Sequence, residues 1–472
     1  MNRLWNLHDL LKVIQGKSLA KIPEGFVTGI SIDSRTISPG EAFFALKGDR
    51  YDGHDYVLDA VEKKAALVII NTNMLSSIGR LSVPVFLVND VLSALKQLAI
   101  AARLRSKAKV IAITGSVGKT TTKEMINLAL SAIGKTHVCE SSYNNHIGVP
   151  LTLSRMPDDA EFAIFELGMS HPGDIRFLTQ LVRPDLAVIT TIAPAHIGNF
   201  SGLEEIASSK AEIFEGLEKT GSVLLNHDNH YFEFLKNKSN EMGIGKVYSF
   251  GKSVDADFRM LKVEELSEKS CIRIQMKEKL LEVMSYATGQ HMAYNILATL
   301  GVVLLLDSDI NKAINALSDF HPLKGRGKRY HLSLANGYFT LIDESYNANP
   351  ASMQAAIAVL SQTYPYGKGR RIAVLGDMNE MGKMSESFHI NLAKVLLSHN
   401  ISHVWLTGMH MMALKESLPR NIDVQHFENM MDLLSFIKLS IIEGDIMVVK
   451  SSHACRLYHI VQLLLEEFKL IH

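Results

Sequence analysis

The run Val110-Ile111-Ala112-Ile113-Thr114-Gly115-Ser116-Val117-Gly118-Lys119-Thr120-Thr121 decides how this chain is read. A short β-branched apolar stretch ends at two glycines, a lysine and threonines. An amphipathic stretch then runs from about Thr121 to Ile133 and stops at Gly134. The pattern predicts strand, tight loop and helix. Small loop residues let backbone N–H groups turn toward phosphate oxygens, and the helix N-terminus adds the positive end of its dipole. Lys119 can reach a β- or γ-phosphate as a point charge, and the Thr120 hydroxyl can hold Mg²⁺. The common form of such a loop has a glycine six residues before the lysine, where this chain has Ile113, so the spacing here is the short G-x-x-G-K-T. By itself that could be a glycine turn with a solvated lysine. With a strand before it and a helix after it, Gly115, Ser116, Val117, Gly118, Lys119, Thr120 and Thr121 read as a nucleotide-binding loop.

Outward from this loop the chain repeats a strand-then-helix rhythm, which predicts a largely parallel sheet with helices on both faces. Phe162 to Phe165 is a strand followed by Glu166-Leu167-Gly168, and Leu186 to Ile192 is a strand followed by Ala193-Pro194-Ala195-His196. Ligands bind outside the carboxyl ends of such strands. Thr120, Glu166 and His196 each follow a different strand at that edge, which points to a metal and phosphate site. Singly, Glu166 could be a solvated acid and His196 an ordinary loop histidine. Lys210, on a helix read from Leu203 to Leu217, has no distinguishing pattern of its own.

On either side lie further α/β units. Residues 1–85 form a small N-terminal unit, with a helix near Leu7 to Ile14, a strand at Ala42 to Leu46, and Ser31-Ile32-Asp33-Ser34-Arg35 between them. Taken alone, Asp33 and Arg35 are a surface ion pair. Residues 86–316 carry the P-loop sheet, and residues 317–472 form a second, Rossmann-like sheet. In the last unit a basic run, Lys324 to Arg329, could be a surface patch or a loop reaching phosphate. A strand at Tyr338 to Ile342 leads into Asp343-Glu344-Ser345-Tyr346-Asn347-Ala348-Asn349-Pro350, with Ser352 as the expected N-cap of the next helix. The fold class is therefore α/β in three domains.

Composition sets the outer limits. The chain has 472 residues, enough for about three domains, with 47% hydrophobic and 21% charged residues. Lys plus Arg number 49 and Asp plus Glu number 49, so no global field points to nucleic acid or to a membrane surface. Three cysteines, far apart in sequence, fit a reducing compartment. The longest apolar run, Ile296 to Leu306, is too short to span a bilayer, and the N-terminus lacks a signal-peptide core. The expectation is a cytoplasmic monomer without membrane insertion.

These motifs together resemble the Mur ligase family, the ATP-dependent amide ligases that build the peptide stem of peptidoglycan. The likeness covers nearly the whole chain. The family loop T-G-S-x-G-K-T-T-T-K stands as Thr114 to Lys123, the metal-edge acid as Glu166, and the histidine as His196. The family's lysine, often carbamylated, matches Lys210; its adenine-contacting asparagine matches Asn295, and its phosphate-reaching arginine matches Arg326. Asp343 to Met353 and Val374 to Gly382 resemble the branch that adds D-alanyl-D-alanine. Near the C-terminus, Lys450-Ser451-Ser452-His453 departs from the family's K-G-S-R.

The resemblance implies ATP and Mg²⁺ as cofactors, and UDP-MurNAc-tripeptide and D-alanyl-D-alanine as substrates. It implies an acyl phosphate intermediate, with Lys119, Lys210 and His196 catalytic and Thr120, Glu166, His196 and Lys210 near metal. It assigns Ser31, Asp33, Ser34 and Arg35 to the uridine end of the substrate. It assigns Asn295, Arg326, Asp343 and Asn347 to ATP, the third domain closing on the second. The alternatives are a family relative adding another amino acid, and a P-loop switch that makes no bond. The N-terminal Asp33-Ser34-Arg35 stretch and the asparagine cluster of the third unit favour the ligase, since a switch needs neither.

Overall fold

The computed structural model describes residues 3–140, 143–266 and 268–471, which form three α/β units, each around its own sheet. The P-loop strand, Lys109–Thr114, is buried from Val110 onward. Ile111 and Ile113 enter one core beside Met125 and Ile126 of the following helix, Lys119–Ser131. Val110 and Ala112 enter the opposite core beside Val149 and Ile175. A strand covered on both faces needs an unbroken apolar run, and that is how this segment is written.

Among the described residues this strand lies in a nine-stranded sheet, parallel to Phe162–Glu166 on one side and to Leu186–Ile189 on the other. The parallel run continues through Ser222–Asn226 and Val247–Gly251 to Phe258–Glu265. Two further strands, Ser270–Met276 and Lys279–Ser285, then extend the sheet as an antiparallel meander that the sequence reading did not include. Ile272, Ile274 and Met276 are buried and Arg273 is exposed, the alternation of an antiparallel strand with one face toward solvent. The helix expected from Leu203 to Leu217 is α-helical only over Leu203–Ala211, then tightens into a 3₁₀ turn at Glu212–Gly216. Its Glu212 carboxylate accepts the N–H groups of Gly173 and Arg176 at the start of a neighbouring helix, which fixes where the turn must sit.

The first unit's sheet contains Ile30–Ser31, Ala42–Phe44, Leu67–Asn71 and Val85–Val88 in parallel, with Lys17–Ser18 antiparallel at the edge. Its last strand runs past residue 85, so the expected boundary falls inside the sheet. The helix Val91–Arg105 also sends Val91, Leu95 and Leu98 into that unit's core, while its Ala99 belongs to the middle unit's core. Its two apolar sides weld the units together. At the same seam Trp5 donates its indole N–H to the Ser154 carbonyl at 2.8 Å, and the Arg105 guanidinium lies 3.6 Å over the Trp5 ring. Arg155 donates to the Ile30 carbonyl at 2.6 Å.

Among the described residues the third unit holds five parallel strands from Gly337–Glu344 to Asp423–Phe427, with Lys328–Leu334 antiparallel to the first of them. The helix after Gly337–Glu344 spans Pro350–Gln362, and its N-cap is Asn349, not Ser352. Pro350 takes the first helical position, where a missing N–H costs nothing. The Asn349 side chain accepts from Ser352 N–H at 2.9 Å while Ser352 Oγ accepts from Asn349 N–H at 3.0 Å, a reciprocal capping box. Among the described residues no helix is long and apolar enough to cross a membrane.

Replacing the cap should be measurable. Asn349→Ala is expected to destabilise the third unit by about 1 kcal/mol and Ser352→Ala by less. Urea unfolding followed through the fluorescence of Trp405, fully buried in that unit, checks the order.

Candidate active site

The P-loop sits at the carboxyl edge of the central sheet, braced from the next strand. Thr190 donates its hydroxyl to the Val117 carbonyl at 2.6 Å, and Ser116 donates to the Ala193 carbonyl at 2.8 Å and accepts the Ala193 N–H at 2.9 Å. Gly118 caps the helix in the left-handed region at φ 87°, and a Cβ there would meet Asn295 Oδ1 at 2.8 Å. Glycine is needed on both counts. Lys119 folds back to donate to the Gly115 carbonyl at 2.7 Å. Burial and nearby Arg326 draw its pKa down, and Glu166 opposes them.

Thr120 donates its hydroxyl to Glu166 Oε2 at 2.8 Å, and Asn144 donates its amide to Glu166 Oε1 at 2.9 Å. Glu166 is buried, and both hydrogen-bond partners named here are neutral. Asn144 escaped the sequence reading because its Asn144-Asn145 pair reads as ordinary loop; only the fold brings it to the acid. One carboxylate and one hydroxyl, open to a cavity, suit a hard cation that keeps water and phosphate as its other ligands. Among the described residues no group of three His, Cys, Asp or Glu side chains gathers as a metal site. The donor set fits Mg²⁺ held between Thr120, Glu166 and a nucleotide phosphate.

Lys210 is 4% exposed and, among the described residues, its side chain forms no hydrogen bond or ion pair. Burial, with the charge of Lys119 beside it, holds its pKa well below the usual lysine range. Two ammonium groups side by side repel, so a neighbouring cation disfavours the charged form of Lys210.

These residues share one cavity of about 1020 Å³ that lies between the second and third units. The P-loop, Glu166, His196, Lys210 and Asn295 line one side, and Arg326, Asn347, Glu380 and Lys450 the other. The Arg326 guanidinium lies 4.0 Å over the Tyr346 ring. Lys450 donates to the Asn347 carbonyl at 3.0 Å and to the Glu344 carboxylate at 3.3 Å. His196 is hydrogen-bonded through Nδ1 to the Glu380 carboxylate of the third unit.

Some expected residues stand elsewhere. Asp343 does not line the cavity; it is buried, accepting the Gly325 N–H at 2.7 Å and both the N–H and hydroxyl of Ser345. It holds the loop that presents Arg326. Ser31, Asp33, Ser34 and Arg35, assigned to the uridine end and not to ATP, lie in the first unit outside the cavity. Arg35 grips Asp33 at 2.7 Å with its own side chain 86% exposed, the surface pair that the sequence taken alone predicts.

Known proteins resemble this chain over nearly its whole length. The family description "Mur ligase middle domain" matches residues 113–303, "Mur ligase, glutamate ligase domain" matches 326–453, and "Mur ligase family, catalytic domain" matches 26–115. A Rickettsia prowazekii protein named UDP-N-acetylmuramoyl-tripeptide--D-alanyl-D-alanine ligase is 33% identical over 92% of this chain and 94% of its own length. The chain belongs to the Mur ligase family. A Bacillus subtilis protein of the same name is 32% identical to this Mur ligase, over 93% of each chain. The crystal structure of MurF from Acinetobacter baumannii superimposes with a TM-score of 0.85 at 28% identity, covering 98% of this chain and 99% of that one.

Within this Mur ligase, Lys119 has no place in a hydrophobic core and stands in the cavity. Lys119→Ala is expected to leave the thermal melting curve unchanged and to cut turnover about 10²–10³-fold, since its charge counts most where phosphoryl charge develops. Phosphate-release kinetics beside a melting curve check both halves.

Proposed function

We propose that this chain joins D-alanyl-D-alanine to UDP-N-acetylmuramoyl-tripeptide at the expense of ATP, in the cytoplasmic stage of peptidoglycan synthesis. What carries this assignment is the 33% identity over 92% of the chain to a relative bearing that activity's name, with the P-loop lysine intact at a cavity between two units.

The tripeptide carboxylate attacks the γ-phosphorus of ATP, ADP leaves, and an acyl phosphate remains. The dipeptide amine, giving up a proton, attacks the acyl carbon, and inorganic phosphate leaves. Two anions meet in the first step, so charge neutralisation is the main demand on the protein. Lys119 meets it from the P-loop, and Arg326 meets it from across the cavity. Mg²⁺, when bound at Thr120 and Glu166, supplies further neutralisation of the phosphate oxygens. Asn295, directly over Gly118, borders the nucleotide, and Asn347 faces it from the third unit. Ser31, Asp33, Ser34 and Arg35 hold the uridine end, from a first unit welded to the second so that the reach to the cavity is fixed. The third unit binds the incoming dipeptide.

Phosphate release measured with ATP, the tripeptide acceptor and a panel of amines tests this. Release that requires both the acceptor and D-alanyl-D-alanine is expected. Release from ATP with neither acceptor nor amine present would return the chain to a nucleotide switch, and release driven by a different amine would reassign the substrate.

Lys210 provides a second check. As a carbamate it is an anionic oxygen ligand, which arginine cannot become. Lys210→Ala and Lys210→Arg are both expected to lose nearly all turnover, with acetate partly restoring the alanine variant only. Full activity in Lys210→Arg would remove the carbamate.

A further inference from the structure

The segments 196–199 and 380–382 meet across the seam between the second and third units, and the contact is built from four separate parts. The His196 ring is hydrogen-bonded through Nδ1 to the Glu380 carboxylate. Gly198 donates its N–H to the Glu380 carbonyl at 2.8 Å. A Cβ on Gly198 would lie 2.8 Å from Gly382 N, and one on Gly382 would lie 2.8 Å from Gly198 Cα, so the two backbones touch where neither has a side chain. Ile197 packs against the cores of both units, and Met378 and Met381 are buried on the third unit's side.

The backbone carries a further signal. His196 and Glu380 are both non-glycine residues in the left-handed region, at φ 57° and φ 61°. Such conformations are uncommon for residues with a Cβ and gather where a side chain must be aimed. Here one stands at each end of a single hydrogen bond between two units.

We infer that Glu380 is a positioning residue for His196, fixing the imidazole through Nδ1 when the third unit closes and leaving Nε2 for the cavity that His196 lines. This rests on the ligase function proposed above. His196 sits on the unit that holds the P-loop, whereas Glu380 sits on the unit assigned to the dipeptide. The pair therefore makes the orientation of a P-loop-side group depend on closure by the amine-side unit. A carboxylate or carbonyl on the far nitrogen of an imidazole fixes its tautomer and its plane, and losing that partner typically costs 10–100-fold in activity. In an open molecule the Glu380 contact is absent, and the imidazole is free to turn.

The test compares Glu380→Ala, Glu380→Gln and His196→Ala in the full chain. Glu380→Ala is expected to lower kcat about 10–100-fold while the KM for ATP moves little, because the nucleotide loop is untouched. Glu380→Gln keeps an acceptor oxygen and is expected to recover most of the loss. The double variant with His196→Ala is expected to be no slower than His196→Ala alone, since Glu380 acts through the ring. A second readout needs no turnover: imidazole ¹⁵N spectra with ADP and Mg²⁺, the His196 signal being the one missing in His196→Ala. It is expected to show a fixed tautomer in the parent and in Glu380→Gln, and a mixture in Glu380→Ala. Unchanged kcat in Glu380→Ala, additive loss in the double variant, a glutamine variant as slow as alanine, or an unchanged His196 signal would each overturn the assignment. If the parent releases no phosphate with any amine, the ligase function fails, and the ¹⁵N spectra alone decide the role of Glu380.

Discussion

The structure depends on a crowding of positive charge at one sheet edge. Lys119, Lys210 and Arg326 approach one cavity, and among the described residues none of them has an ion-pair partner. The carboxylates at the same cavity are otherwise engaged: Glu166 by neutral donors, Asp174 by the Ser170 and His171 N–H groups, Glu344 by Lys450, Glu380 by His196. Cations held together without counterions cost free energy, and an anionic ligand with its metal relieves that cost. Burial is the larger cause of the lowered pKa values of Lys119 and Lys210, and the neighbouring cation lowers each further. The parallel sheet makes the arrangement possible by setting three strand ends side by side and aiming a helix N-terminus at the gap between them.

The cavity has two owners. The second unit supplies the phosphate loop, its acid and Lys210. The third supplies Arg326, itself held in place by Asp343 through the Gly325 N–H. The first and second units are joined differently, by a shared helix, an indole hydrogen bond and a stacked guanidinium. One seam is thus a weld, and the other is a working face lined with polar groups. Enzymes that must keep water from an activated phosphate place their moving parts at such a face. At this face the Gly198 and Gly382 backbones are in contact, and larger residues at either position would hold the units apart.

Most of the central unit could be read from the chain. The P-loop strand is unbroken apolar sequence because both its faces are covered, and the glycines, lysine and threonines after it follow from what phosphate requires. Strands at Phe162–Glu166 and Leu186–Ile189 were legible for the same reason. The antiparallel meander was harder to see, since half-buried edge strands alternate weakly and their polar side resembles loop. Ser352 and Asn349 were both good caps by composition. Only the extended backbone at Asn349, at φ −148°, and Pro350 after it decide between them.

The sequence by itself determined the nucleotide loop, the order of the α/β units and the family, because local spacing and apolar periodicity carry that information. It could not determine which polar residues meet. Asn144 reaches Glu166 from a loop 22 residues earlier, and Glu380 reaches His196 across 184 residues. Asp343 accepts the Gly325 N–H and so braces the Arg326 loop from 18 residues away. Such pairings depend on how whole units are set against one another, a geometry fixed by burial summed over many side chains. No short stretch of sequence contains that sum, so only the tertiary structure could decide it.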